Sequence, residues 1–218
     1  MYKRQGLPIV SANAYLGCWG IKKALDQGAD IVICPRVTDA ALVMGPAAWK
    51  YDWNHDDYDQ LAGSLAAGHI IECGAQATGG NYSFFKEIPT FRNIGYPIAE
   101  IYEDGSFNIT KHDDTGGLVS KGTVTAQLLY EIASPQYLNP DVTGHFNTLE
   151  ISEVDKNKVH VKNVKGSPPP EKLKACINLA GGYKKGMELI VTGLDIEEKA
   201  KIFTDELFHS LGGVEQFD

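Results

Sequence analysis

The sequence predicts an α/β fold: a partial parallel βαβ layer followed by an α+β portion with antiparallel hairpins. Three observations predict it. Asp30-Ile31-Val32-Ile33-Cys34 is a continuous apolar run of strand length, the pattern of a strand covered on both faces. A strand-like segment (Ile9 to Tyr15) and a helix-like one (Ile21 to Gln27) precede it, so strand, helix and strand occur in the spacing of a right-handed βαβ unit. Two later stretches, 98–111 and 147–164, alternate apolar and polar residues around turn sequences. The expected layout is an α/β layer over 6–82, part of a larger N-terminal domain, and an α+β domain over 98–218 with two hairpins and a C-terminal helix.

Taken in order, Ile9 to Tyr15 leads into a turn at Gly17, and Gly28 stops the first helix. Thr38 to Met44 is expected to be a short helix ending at Gly45-Pro46. The loop from Trp49 to Asp57 is aromatic and acidic. Tyr58 to Cys73 reads as a helix with Leu61, Leu65, His69 and Glu72 on one stripe, and its Gly63 and Gly68 point to close packing against another element. The first hairpin turns at Asp104-Gly105. Thr123 is the expected cap of a helix running to Ile132. The second hairpin turns at Asp155 to Lys158, with Val159, Val161 and Val164 on one face. Ser167-Pro168-Pro169-Pro170 is a stiff connector. Leu173 to Leu179 and Met187 to Thr192 are expected to be strands. A helix from Ile196 to Leu211 follows, with Asp195 before it, Gly212-Gly213 after it, and a core stripe of Ile202, Leu207 and Leu211.

The 218 residues are 43% hydrophobic and 22% charged, enough for a sizeable core, with a net charge of −8. The chain lacks the basic face that phosphate backbones require, which argues against a nucleic-acid partner. Its small basic cluster, Lys172, Lys174, Lys184 and Lys185, suits a solvated face or a small phosphorylated ligand. The four cysteines are dispersed and fit a reducing cytoplasm. Neither a secretory h-region nor a stretch of membrane-spanning length is present, so no membrane partner is expected. No nucleotide-cofactor motif occurs.

Two glycine-marked blocks stand out. One runs from Glu72-Cys73-Gly74 through Gln76, Thr78, Gly79 and Gly80 to Asn81; the other is Asp113-Asp114-Thr115-Gly116-Gly117-Leu118. Paired glycines mark positive φ or a close approach to the backbone. Each block reads equally as a turn and as part of a site.

Five stretches carry a resemblance. They are Ser11 to Gly17, Gly28 to Ile33 followed by Arg36 to Asp39, Gly68 to Gly80, Thr115 to Val119 and Thr123 to Glu131. Together, from Leu7 onward, they resemble the acyclic terpene utilisation family. The resemblance implies a role in degrading citronellol- and geraniol-type terpenoids through branched acyl-CoA thioesters. Carbon–carbon lyase cleavage of a 3-hydroxy-3-substituted-glutaryl-CoA is the reaction it suggests. Family members have a further N-terminal α/β portion and continue past the equivalent of Asp218, so a central fragment is expected; the opening residues Met1 to Gln5 resemble translated adapter sequence.

Retro-aldol cleavage requires a base for the hydroxyl and stabilisation of the developing enolate. His69, Glu72 and Cys73 lie three and four residues apart at a helix end, so all three can face one side. With Asp39 they are the catalytic candidates, and they raise the possibility of a divalent metal. Asn13 and Arg36 are expected at strand ends, where Arg36 suits a carboxylate or phosphate. Gln76, Thr78, Gly79, Gly80 and Asn81, with Lys111, Thr115, Gly116 and Gly117, are the remaining substrate-binding candidates, the latter group because it precedes a helix N-terminus. The Trp49 to Asp57 loop suits an apolar tail or a subunit contact. The expected assembly is a homo-oligomer. The alternative to an enzyme is a binding or assembly subunit of a biotin-dependent acyl-CoA carboxylase.

Overall fold

Helix α3 (Tyr58–Ile71) is the centre of the fold, because every residue from Leu61 to Ile70 is buried. The sequence stripe predicts one apolar face; the structure buries the helix all round, as its many Ala and Gly residues permit. Gly63 lies so close to the Gly105 carbonyl that a Cβ would fall 1.9 Å from it, and a Cβ on Gly68 would meet Ala40 at 2.8 Å. The predicted close packing of both glycines is thus realised against a hairpin turn and a helix start.

The computed structural model describes residues 7–182, 186 and 188–216. Met1 to Gln5, Lys184, Lys185 and Met187 lie outside the described residues. Residues 8–179 pack as one unit, while Leu7 and the described residues after 179 belong to a second.

In the first unit, α1 (Trp19–Asp26) packs on α2 (Ala41–Lys50), and α2 packs on α3. The expected stop at Gly45-Pro46 does not occur. Pro46 faces solvent, while Ala41, Met44, Gly45, Ala47 and Ala48 are buried, so burial of that face outweighs the missing proline N–H. Strands β2 (Ile98–Ile101) and β3 (Phe107–Thr110) form the predicted hairpin around Gly105, whose φ is 81°. Strands β6 (Glu150–Asp155) and β7 (Lys158–Lys162) form the second hairpin, and β3 pairs with β7 to give a four-stranded antiparallel sheet. Phe107, Ile109, Val159 and Val161 from this sheet are fully buried with Leu61, Leu65 and Ile70 of α3. Each such side chain contributes about 1.5–3 kcal/mol of burial. A short three-stranded sheet of β4 (Gln136–Leu138), β5 (Thr143–His145) and β8 (Lys165–Ser167) covers another side of α3.

Helix α4 (Lys121–Leu128) begins earlier than expected. Ser120 is its cap, and Thr123, the expected cap, instead completes a reciprocal capping box. The helix stops before Ile132 because Glu131 adopts a left-handed φ of 60°.

The mixed α/β character is present, but among the described residues the parallel layer is not. Strand β1 (Ile9–Ala14) pairs antiparallel with β9 (Ala175–Leu179). Asp30 to Cys34 forms no strand: Ile31 and Ile33 are 83% and 92% exposed, while Val32 and Cys34 turn toward the core. A parallel strand needs cover on both faces, and this segment has it on one. Among the described residues, the parallel pairing here reduces to an isolated bridge between Leu16 and Val37.

In the second unit, α5 (Ile196–Ser210) has no buried residue among those described. Ile202 and Leu211 are exposed, so the expected core stripe is not buried. Asp195 precedes the helix with a φ of 57° and makes no side-chain cap bond. Residues 188–192 are not a strand, and Leu173 and Lys174 precede β9. No helix among the described residues is long and apolar enough to cross a membrane.

Candidate functional site

An open cleft of about 500 Å³ lies where the end of α3, the start of α2 and the chain after α4 converge. Asp39, Glu72, Cys73, Tyr130 and Glu131 supply its polar lining, and Leu42, Val43 and Ile71 its apolar wall. Three of the four catalytic candidates therefore share one surface although Asp39 and Glu72 are far apart in sequence. The fourth, His69, is 2% exposed and sits behind them, its Nδ1 3.4 Å from Glu72 Oε1. Its ring is flanked by Tyr137 and Phe146, with centroids 5.5 and 6.1 Å away. The Cys73 thiol lies 3.9 Å from the same Glu72 oxygen and donates to it.

The electrostatics of the cleft are acidic. Burial, followed by the charge of Glu72, pushes the Cys73 thiol above its ordinary range, and Glu131 and Asp39 add to the effect. Burial and the same three carboxylates push the Tyr137 phenol up to about 12. Glu131 raises the Tyr130 phenol. The raised value favours the protonated thiol of Cys73 at neutral pH. Among the described residues, no three His, Cys, Asp or Glu side chains converge closely enough to hold a metal ion.

Arg36 joins the cleft through its ion pair with Asp39, at 3.6 Å. Its guanidinium also stacks over the Tyr15 ring at 4.2 Å, and Lys174 approaches the same ring at 4.9 Å. A cationic platform thus borders the acidic cleft. Tyr15, Lys174, Tyr130, Glu131 and Tyr137 were not singled out as site residues from the sequence. Tyr130 and Glu131 do end one of the blocks that carry the family resemblance.

The other predicted binding residues lie elsewhere. Asn13 is exposed on β1 opposite Cys176. The two glycine-marked blocks meet each other. Leu118 N–H donates to the Thr78 carbonyl at 2.8 Å, the Thr78 hydroxyl contacts the Gly95 carbonyl, and Gly95 N–H donates to the Gly116 carbonyl at 3.1 Å. What approaches these glycines closely is backbone: a Cβ on Gly117 would lie 2.7 Å from Thr78 O, and one on Gly80 3.0 Å from Ala75 O. Gly79 has a φ of 119° and faces Ile88, and Asn81 N–H returns to Gln76 O. Lys111 is buried and donates to the His112 and Thr115 carbonyls, while Gly116 and Gly117 donate to Asn93 O and Thr90 O. The donors expected to hold an anion are bonded within the loop. At the start of α4, the Lys121 N–H is taken by the Glu153 carboxylate at 2.7 Å. In the aromatic loop, Trp53 is buried and donates to Glu103 O, and Trp19 stacks on His55.

A second, polar hollow of about 160 Å³ is lined by Asp59, Asp104, His160 and Lys165 among others, and shares no residue with the predicted site. Lys165 and Asp59 are already paired there at 2.7 Å.

Comparison with curated proteins and with solved structures gave no match. A family model described as acyclic terpene utilisation family protein AtuA matches residues 2–218. Nearly the whole chain is covered, and the protein belongs to the AtuA family of acyclic terpene utilisation.

Proposed function

We propose that this chain is a cytoplasmic enzyme of acyclic terpene breakdown that acts on a branched acyl-CoA or related carboxylate. The reaction is carbon–carbon lyase cleavage of a 3-hydroxy-3-substituted-glutaryl-CoA. The observation that supports this reading is the convergence of Glu72, Cys73 and Asp39 in one cleft over the buried His69, beside a cationic platform.

Glu72, oriented by His69, accepts the proton of the tertiary hydroxyl. The C–O bond becomes a carbonyl, the adjacent carbon–carbon bond breaks, and its electron pair remains on the departing acyl thioester as an enolate. The Cys73 thiol, held protonated by burial and by Glu72, gives its proton to the enolate carbon. The proton on Glu72 then crosses 3.9 Å to the Cys73 sulfur, restoring both groups. The branched hydrocarbon lies on Leu42, Val43 and Ile71, and the phosphates of the thioester carrier on Arg36 and Lys174. Single-turnover cleavage of the glutaryl thioester tests this. Glu72→Gln is expected to lower the rate by about 10²–10⁴-fold with the circular dichroism spectrum unchanged. A Glu72→Gln protein of normal rate overturns the assignment.

One observation favours the second reading, an assembly subunit that forms homo-oligomers or partners a biotin-dependent carboxylase: the nearly full exposure of Ile31 and Ile33. Co-purification of the carboxylase that is lost in an Ile31→Lys/Ile33→Lys protein, with no cleavage activity, would establish that reading instead.

A further inference from the structure

We propose that Ser167 and His145 form a second reactive centre, a serine nucleophile with its base, that accepts acyl groups from esters and thioesters. The pair shares no residue with the cleft and stands apart from the lyase reading.

The pair belongs to the short sheet ordered β4–β5–β8. Leu138, Thr143 and Ser167 make one row across it, and Gln136, His145 and Lys165 the next. Side chains two apart on a strand share a face, so both rows lie on one side of the sheet. The opposite side meets α3. A Cβ on Gly144 would lie 3.1 Å from Leu65, and one on Gly166 1.9 Å from the Tyr58 carbonyl. The face with the pair is thus directed away from α3: Gln136, Leu138 and Lys165 are exposed, and His145 and Ser167 are half-buried. Water can reach a hydroxyl and an imidazole there, so burial does not force them to bond to each other.

His145 Nε2 nevertheless lies 2.8 Å from Ser167 Oγ. With its proton on Nδ1, the neutral imidazole accepts the serine hydroxyl at Nε2, the arrangement that activates a serine. The backbone holds both residues in place. The Thr148 N–H and hydroxyl both donate to the His145 carbonyl. On either side of Ser167, the Gly166 N–H donates to Asp59 and the Pro168 carbonyl accepts the Thr143 hydroxyl. Asp59 supplies a nearby negative charge. Burial would raise its carboxyl, but hydrogen bonds from Lys165 and the Gly166 N–H, with the charges of Lys165 and His145, hold it below its ordinary value. That carboxylate favours the imidazolium formed when His145 takes a proton.

In the reaction, Ser167 Oγ bonds to the acyl carbon while its proton passes to His145 Nε2. The carbon–sulfur or carbon–oxygen bond breaks, and the leaving thiol or alcohol takes that proton. Water, deprotonated by the same imidazole, then releases the acid and restores Ser167. Leu138, 62% exposed in the row of Ser167, offers the acyl chain an apolar contact.

The test is labelling of the whole chain with a biotinylated fluorophosphonate, which loses fluoride and leaves its phosphonyl group on an activated serine oxygen. Peptide mass spectrometry is expected to find the label on Ser167, and Ser167→Ala to abolish it. His145→Gln is expected to slow labelling by at least about 10²-fold with an unchanged circular dichroism spectrum. If that spectrum changes, His145→Ala is labelled with and without added imidazole, which is expected to restore the rate. Release of p-nitrophenol from p-nitrophenyl acetate is expected to fall at least about tenfold in Ser167→Ala. An unlabelled Ser167 in the unaltered protein, labelling at the normal rate without His145, or ester cleavage equal in Ser167→Ala overturns the proposal.

Discussion

Cys73 and Asp141 show how burial governs chemistry at single residues. Burial pushes the Cys73 thiol up, and Glu72 is the nearest charge that keeps it there. Replacing Glu72 by Gln removes that charge, so alkylation of Cys73 by iodoacetamide at pH 7.5 should quicken by roughly two- to fivefold, read by peptide mass spectrometry. An unchanged rate would remove the electrostatic account of the thiol. Asp141 is buried against Gly17 and accepts the Cys18 N–H at 2.9 Å. Burial pushes its carboxyl above the usual range, against the Cys18 hydrogen bonds and the more distant His55 charge, which pull it down. A raised folded value means the folded chain holds the proton more tightly. Stability from this group is therefore fully present below the ordinary carboxylate value and is lost as pH rises from there through the raised folded value. Asp141→Asn keeps an oxygen for Cys18 and removes the charge. Its Tm is expected about 2–5 °C above the unaltered protein at pH 8, with the gap closing near pH 4. A lower Tm at pH 8 would show that the ionised carboxylate stabilises the fold.

At the scale of elements, the fold depends on backbones that touch. Helix α3 crosses the β2–β3 turn with Gly63 against the Gly105 carbonyl, and the loop before α4 places Gly117 against Thr78 at a φ of 87°. Gly63→Ala and Gly117→Ala are each expected to cost about 2–4 kcal/mol in urea unfolding. Gly20, in α1, has open space where its Cβ would be, so Gly20→Ala should stabilise by up to about 1 kcal/mol. Loss of stability in Gly20→Ala comparable to the other two would show that close approach is not what distinguishes them.

For the molecule as a whole, the exposed apolar segment 31–33 is the surface expected to be covered by a second copy. Ile31 and Ile33 are apolar, two residues apart and both exposed, on a protein of net charge −8 that otherwise repels its copies. Ile31→Lys/Ile33→Lys is expected to shift the mass measured by light scattering toward the monomer. A mass unchanged by the substitution would show that this segment is no interface.

The hairpins were legible because period-two alternation and Asp-Gly turn chemistry are local properties of the chain. Helix α3 was legible for the same reason, as was the clustering of His69, Glu72 and Cys73, since one turn of helix sets their spacing. The family, too, follows from the order of blocks along the chain. The Asp30 to Cys34 segment misled because hydrophobicity announces burial without saying what supplies the cover. Both glycine blocks were visible as places of close approach, yet only the folded chain reveals that each is approached by the other. Tertiary structure alone brought Glu131, Tyr137 and Gln127 around Glu72 and Cys73, from elements more than fifty residues away in sequence. The acidity of the cleft is a sum over such distant neighbours, and local pattern carries no record of it.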